Sequence, residues 1–131
     1  MPPLFDHEKL EVYQESLAFL RWLEPVLSGL PKSLAVRDQL DRASTSVPLN
    51  LAEGNGKFTG PDRCRYFDNA RGSALECAAA LDVLVARGTL QEEAALPGKE
   101  RLRRVVSMIV GLIRANSDYR VHEGGGAENC D

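Results

Sequence analysis

Around the stretch QLDRASTSVPLNLAEGNG, Gln39 to Gly56, an apolar residue returns every three or four positions, at Val36, Leu40, Ala43, Val47 and Leu51. At about 100° per residue these positions share one face, so the segment is a helix with a surface to bury. Pro48 falls inside it. A proline has no N–H to donate and its ring crowds the carbonyl four residues back, here Ser44, so a bend or break is expected. A polar stripe of Arg42, Ser46, Asn50 and Glu53 lies roughly a quarter turn from the apolar one, where a helix meets either a neighbour or water.

The same periodicity recurs elsewhere. A first helix is expected from about Asp6, its N-cap, to about Gly29, with Leu10, Tyr13, Leu17, Leu20 and Leu27 as its stripe and Phe19, Trp22, Leu23 and Val26 widening it. Pro25 should kink it or end it near Glu24. The second begins near Ser33 and stops at Gly54 or Gly56, either of which tolerates a left-handed cap. Thr59, followed by Gly60, Pro61 and Asp62, reads as the N-cap of a third helix that buries Phe67, Ala70, Ala74, Cys77, Leu81 and Leu84, runs to about Arg87 and stops at Gly88. Thr89 to Leu96 is a connector, although QEEAAL is compatible with helix. Pro97 opens a fourth helix that buries Leu102, Val105, Val106, Ile109, Leu112 and Ile113 and frays after about Tyr119. Four amphipathic helices with short connectors make an all-α, antiparallel up-down-up-down four-helix bundle. The expected domain is 1–121, with a disordered, glycine-rich tail at 122–131.

A chain of 131 residues can bury a core without a metal or disulfide. Cys64, Cys77 and Cys130 are an odd number without metal-ligand spacing, and are read as reduced thiols. The opening MPPLFDHEKLEVYQ lacks the regions of a signal peptide, and no apolar run approaches the roughly 18 to 20 residues of a membrane span. A cytoplasmic protein with no membrane contact is the expectation.

The third helix repeats the polar pattern of the second, at Arg65, Asn69, Ser73 and Glu76. In an antiparallel hairpin turning near Thr59, Arg42 would face Glu76, Ser46 would face Ser73, Asn50 would face Asn69, and Glu53 would face Arg65. One reading is a partly buried polar seam that sets the hairpin register, closed at both ends by opposite charges. The other is two solvated faces without mutual contact.

The motif also carries a resemblance. Arg42, Ala43, Ser46, Pro48, Asn50, Ala52, Glu53, Gly54 and Gly56, with Leu10, Val12 and Tyr13 before them and Arg65, Ala70, Gly72, Ser73 and Glu76 after, resemble the signature of the four-helix-bundle proteins encoded by intervening sequences of 23S ribosomal RNA genes. That family is similar to the accessory proteins of diversity-generating retroelements. The resemblance spans most of Leu10 to Arg114. It implies ring-shaped homopentamers, and a basic surface that engages RNA or a reverse transcriptase.

Neither catalytic residues nor a cofactor is expected. A carboxylate-bridged metal site in a bundle needs Glu-x-x-His on two helices, and neither Glu53 nor Glu76 has that histidine. No histidine lies near Cys64 or Cys77 in sequence to activate a thiol. Nucleic-acid contact is the more plausible chemistry, through Lys57, Arg63, Arg71, Lys99, Arg101, Arg103, Arg104 and Arg114. The net charge of −3 argues against a generally basic protein, and Glu92, Glu93 and Glu100 balance part of that set. The sequence therefore points to a non-enzymatic, self-assembling scaffold with RNA or a nucleoprotein as partner, or alternatively to a purely protein-binding scaffold.

Overall fold

The computed structural model describes residues 2–124, with side chains through Ser117. A 3-10 turn at Asp6–Lys9 precedes four helices: α1 (Glu11–Ser28), α2 (Ala35–Asn55), α3 (Gly60–Ala86) and α4 (Glu92–Gly124). α3 packs between α2 and α4, and α1 closes the fourth side against the same two helices. Ser46 meets Ser73, Asp82 meets Lys99 and Glu15 meets Arg101, so neighbouring helices run antiparallel in the expected up-down-up-down order. Among the described residues no helix is long and apolar enough to cross a membrane.

The stripes of α2 and α3 are buried as their spacing predicts, with Leu40, Leu51, Phe67, Leu81 and Leu84 fully inside. α1 is turned relative to expectation. Its buried face is Val12, Ser16, Phe19, Leu23 and Leu27, while Tyr13, Leu17 and Leu20 are only half-buried. Ser16 hides this face from a hydropathy reading. Its hydroxyl donates to the Tyr13 carbonyl at 2.7 Å, which lets it sit in the core without an orphaned polar group.

The prolines break none of the helices. α1 continues past Pro25 to Ser28, α2 runs continuously through the buried Pro48, and α4 begins at Glu92, so that Pro97 lies inside it rather than at its start. Next to Pro48 the hydroxyls of Ser44 and Thr45 both donate to the Asp41 carbonyl, at 2.9 and 3.0 Å. The first helix does not start as expected either. Leu10 is extended, and Asp6, instead of capping, accepts from Asn55 Nδ2 at 2.9 Å. Glu8 caps the 3-10 turn that precedes α1. Its carboxylate accepts the amides of Phe5 and Leu4 at 2.7 and 3.1 Å, and the Phe5 amide in particular holds it below the usual glutamate range.

Neither Gly54 nor Gly56 adopts a left-handed cap. Gly54 is a packing glycine: a β-carbon there would come within 2.9 Å of Tyr66 and Phe67, so its absence sets how closely α2 approaches α3. Gly98 does the same for α1 and α4, since a β-carbon would stand 2.3 Å from the Trp22 ring. Gly88, at φ 76°, is the left-handed stop of α3. Around it the amides of Gly88 and Thr89 donate to the carbonyls of Val85 and Leu84, both at 2.9 Å, the two bonds of a Schellman cap. At the other end Thr59 caps α3 as predicted, accepting the Asp62 amide at 3.3 Å. α4 extends past Tyr119 to Gly124, three residues into the expected tail, and 125–131 lie outside the described residues. Of the cysteines, Cys77 is a buried free thiol, but Cys64 is disulfide-bonded, contrary to a reading of three thiols.

Candidate interaction surfaces

Only the middle of the expected polar seam forms. Ser73 Oγ donates to Ser46 Oγ at 2.8 Å across the half-buried α2–α3 boundary, pairing two of the residues expected to face each other. Asn50 does not reach Asn69. Its amide turns back along α2 to donate to the Ser46 carbonyl and hydroxyl, both at 2.9 Å. The charged ends stay within their own helices. Arg42 pairs with Asp38 at 3.2 Å and is 73% exposed, and Arg65 pairs with Asp62 at 3.0 Å and is 58% exposed. Glu53 and Glu76 are exposed and form no ion pair among the described residues.

Helix geometry accounts for this pattern. A step of four residues advances about 40° beyond a full turn and a step of three falls about 60° short. When Ser46 and Ser73 face each other, Arg42 and Asn69 are rotated away by one such step, and Glu76 by the other. At the ends a carboxylate one turn away on the same helix offers a pair without ordering a second element.

The nominated cations divide by environment. Arg63 is structural. Its Nη1 donates to the Asn55 carbonyl at 2.7 Å and the Lys57 carbonyl at 3.2 Å, Nη2 to Asn55 Oδ1 at 3.3 Å, and Nε to Asn116 Oδ1 at 3.0 Å. One guanidinium thus ties the last carbonyls of α2 to α4, with Phe67 under it at 5.7 Å. Asn55 and Asn116, the partners in this clamp, carry no sequence motif and are recognised only once the turn brings them together. Arg101 and Arg104 share Glu15 of α1, each at 3.3 Å. Arg71 pairs with Asp68 at 3.0 Å, and Lys99 with Asp82. Lys57 lies 5.0 Å from the Tyr66 ring centre. Arg103 and Arg114 are exposed without a carboxylate partner among the described residues. Among the described residues, six of the eight are therefore engaged by a carboxylate, a carbonyl or a ring.

Among the described residues no three His, Cys, Asp or Glu side chains cluster closely enough to hold a metal ion. The exposed apolar side chains are more informative: Leu49 on α2, Leu75 on α3 and Leu96 on α4 are 63%, 46% and 53% exposed. Beside Leu75 an apolar groove of about 230 Å³ runs between α3 and α4, lined by Ala74, Leu75, Ala78, Leu102 and Val106 with Lys99 and Arg103 at its rim.

A family model described as 23S rRNA-intervening sequence protein matches residues 8–111. Among solved structures, a protein of unknown function from the S23 ribosomal protein family of Bacteroides thetaiotaomicron superposes with a TM-score of 0.74 at 19% identity, over 79% of this chain and 98% of that one. At that identity the likeness is one of fold. No curated protein matches the chain.

Proposed function

Because the chain belongs to the 23S rRNA-intervening sequence protein family, we propose that it is a non-enzymatic, cytoplasmic scaffold that self-assembles, five copies to a ring, and acts through protein contacts made by the outer faces of its helices. The observation that supports this reading most directly is the exposure of Leu49, Leu75 and Leu96 on three different helices, each an apolar side chain left about half or more open in the isolated bundle. The polar groups inside the bundle serve the fold: Ser16 and Ser44 bond to their own helices, and Arg63 joins α2 to α4. Light scattering coupled to gel filtration tests the assembly. A mass of five chains is expected, and a strict monomer at micromolar concentration would reject it.

A second reading, contact with RNA or a nucleoprotein such as a reverse transcriptase, is favoured by Arg103 and Arg114. These residues stand about three turns apart on one flank of α4, with no carboxylate neutralising either among the described residues. Six of the eight cations nominated from sequence are already engaged by carboxylates, carbonyls or a ring, so a single copy would bind weakly. A ring would present the pair repeatedly and gain by multivalency. Salt-titrated RNA binding by the wild type and by the Arg103→Ala/Arg114→Ala double variant separates the two readings. Salt-sensitive binding lost in the variant supports the RNA role, and no binding at low salt leaves the protein-binding scaffold.

A further inference from the structure

Two surfaces on different helices of this chain each set an exposed apolar contact beside a charge, and the two charges are of opposite sign. The first is a ridge on the outer face of α2. Leu49 stands 63% exposed at its crest; Arg42, two turns before it, is matched by Asp38, and the carboxylates of Asp41 and Glu53, neither ion-paired among the described residues, lie two turns before it and one turn after it. The second is the groove between α3 and α4. Ala74 and Ala78 keep its floor shallow enough for another helix to approach, Leu75, Leu102 and Val106 make it apolar, and Lys99 and Arg103 stand at its rim. Lys99 is already matched by Asp82, but Arg103 has no carboxylate partner among the described residues. On the ridge the apolar contact and the free charge are four residues apart, Leu49 and Glu53. At the groove they are three apart, Arg103 and Val106. Both spacings place charge and contact on the same side of their helix within about one turn.

We propose that the α2 ridge of one copy docks into the α3–α4 groove of the next, with Leu49 in the groove and Glu53 against Arg103. This rests on the self-assembly reading above and deepens it by naming the surfaces. The contact is heterologous, because ridge and groove are different patches on different sides of the bundle. Repeating such a contact does not stop at two copies; it closes into a ring or runs on as a filament. A ridge meeting a ridge would instead give a closed dimer and leave both the groove floor and Arg103 uncovered. Burial of Leu49 and of the groove floor supplies the non-directional attraction, and the Glu53–Arg103 pair sets the register.

The full chain is tested by sedimentation and light scattering as wild type, Leu49→Asp, Arg103→Glu, Glu53→Arg, and the Glu53→Arg/Arg103→Glu exchange. All three sites are exposed, and far-UV circular dichroism verifies that each variant is folded. Each single variant should weaken self-association by about tenfold or more, and the exchange should recover it to within about threefold of wild type, the signature of a direct pair. Self-association that survives all three single changes, or an exchange no better than its components, overturns the ridge-and-groove contact while leaving assembly through another surface intact. A wild type that stays monomeric overturns the contact and the self-assembly reading together.

Discussion

Removing the Arg63 guanidinium is the sharpest way to decide whether that residue holds the bundle together or waits for a phosphate. Arg63→Ala breaks four hydrogen bonds, two of them short: 2.7 Å to the Asn55 carbonyl and 3.0 Å to Asn116 Oδ1. Hydrogen bonds from a charged donor contribute roughly 1.5 to 3 kcal/mol each, but the four share one side chain and water can reach part of the site, so they do not add. The Asn55 carbonyl also belongs to the last turn of α2, where a cation is favoured by the helix dipole. A loss of about 2 to 4 kcal/mol follows, which at roughly 3 to 5 °C per kcal/mol for a domain of this size lowers the melting temperature by about 10 °C. Arg63→Lys keeps the charge but replaces the planar fork with a single ammonium that cannot span Asn55 and Asn116 together, so it should lose most of the same stability. Melting has to be followed at fixed protein concentration, since assembly would otherwise shift the midpoint. A shift under about 2 °C for Arg63→Ala, or a lysine variant as stable as wild type, would show that the clamp contributes little and that charge alone matters.

Three further outcomes are expected. Glu76→Ala should change unfolding free energy by less than about 0.5 kcal/mol in a denaturant titration, because Glu76 is exposed and pairs with nothing described; a loss of 3 kcal/mol would mean it meets Arg42 after all. Gly98→Ala drives a methyl into Trp22 and should destabilise by about 1 to 3 kcal/mol, a penalty that largely disappears in a Trp22→Leu background; equal penalties in both backgrounds would contradict the close α1–α4 approach. Burial, reinforced by the Glu76 carboxylate, pushes the Cys77 thiol from an ordinary 9.0 up to about 12. Its folded value is thus the higher one, so its contribution to stability is complete below pH 9 and is lost as pH rises from there toward 12. Wild type should accordingly lose more stability than Cys77→Ala between pH 9 and 11, and parallel curves would refute the assignment.

The bundle was legible because its evidence is redundant. Val36, Leu40, Ala43, Val47 and Leu51 would have to be wrong together for α2 to face another way, and the same is true of the six-residue stripe of α3. α1 misled because leucines at positions 10, 17 and 20 outweigh a face that contains Ser16, and a hydropathy pattern has no means of knowing that a serine hydroxyl will be satisfied by its own helix. The prolines misled for a related reason. A proline removes one hydrogen bond and crowds one carbonyl, a local cost of about 3 kcal/mol, but burial of the flanking face on several turns can outweigh it, and Pro48 is itself part of the packed surface.

The candidate site was less legible because charge has too many partners to choose from. Arg42 and Arg65 were matched with Glu76 and Glu53 across the hairpin by counting from the turn, and that count was good enough to bring Ser46 to Ser73. It could not foresee that Asp38 and Asp62, one turn away on the same helices, would take the arginines first. The short hydroxyls of Ser46 and Ser73 lie at the helix contact and meet there, whereas a long guanidinium sweeps a radius that includes its own helix. Positions near the helix contact therefore keep the register that the sequence implies, while those further round lose it to local pairing. Glu53 on α2 and Arg103 on α4 are among the charges left without an opposite charge among the described residues, and they are the ones on which charge exchange is informative.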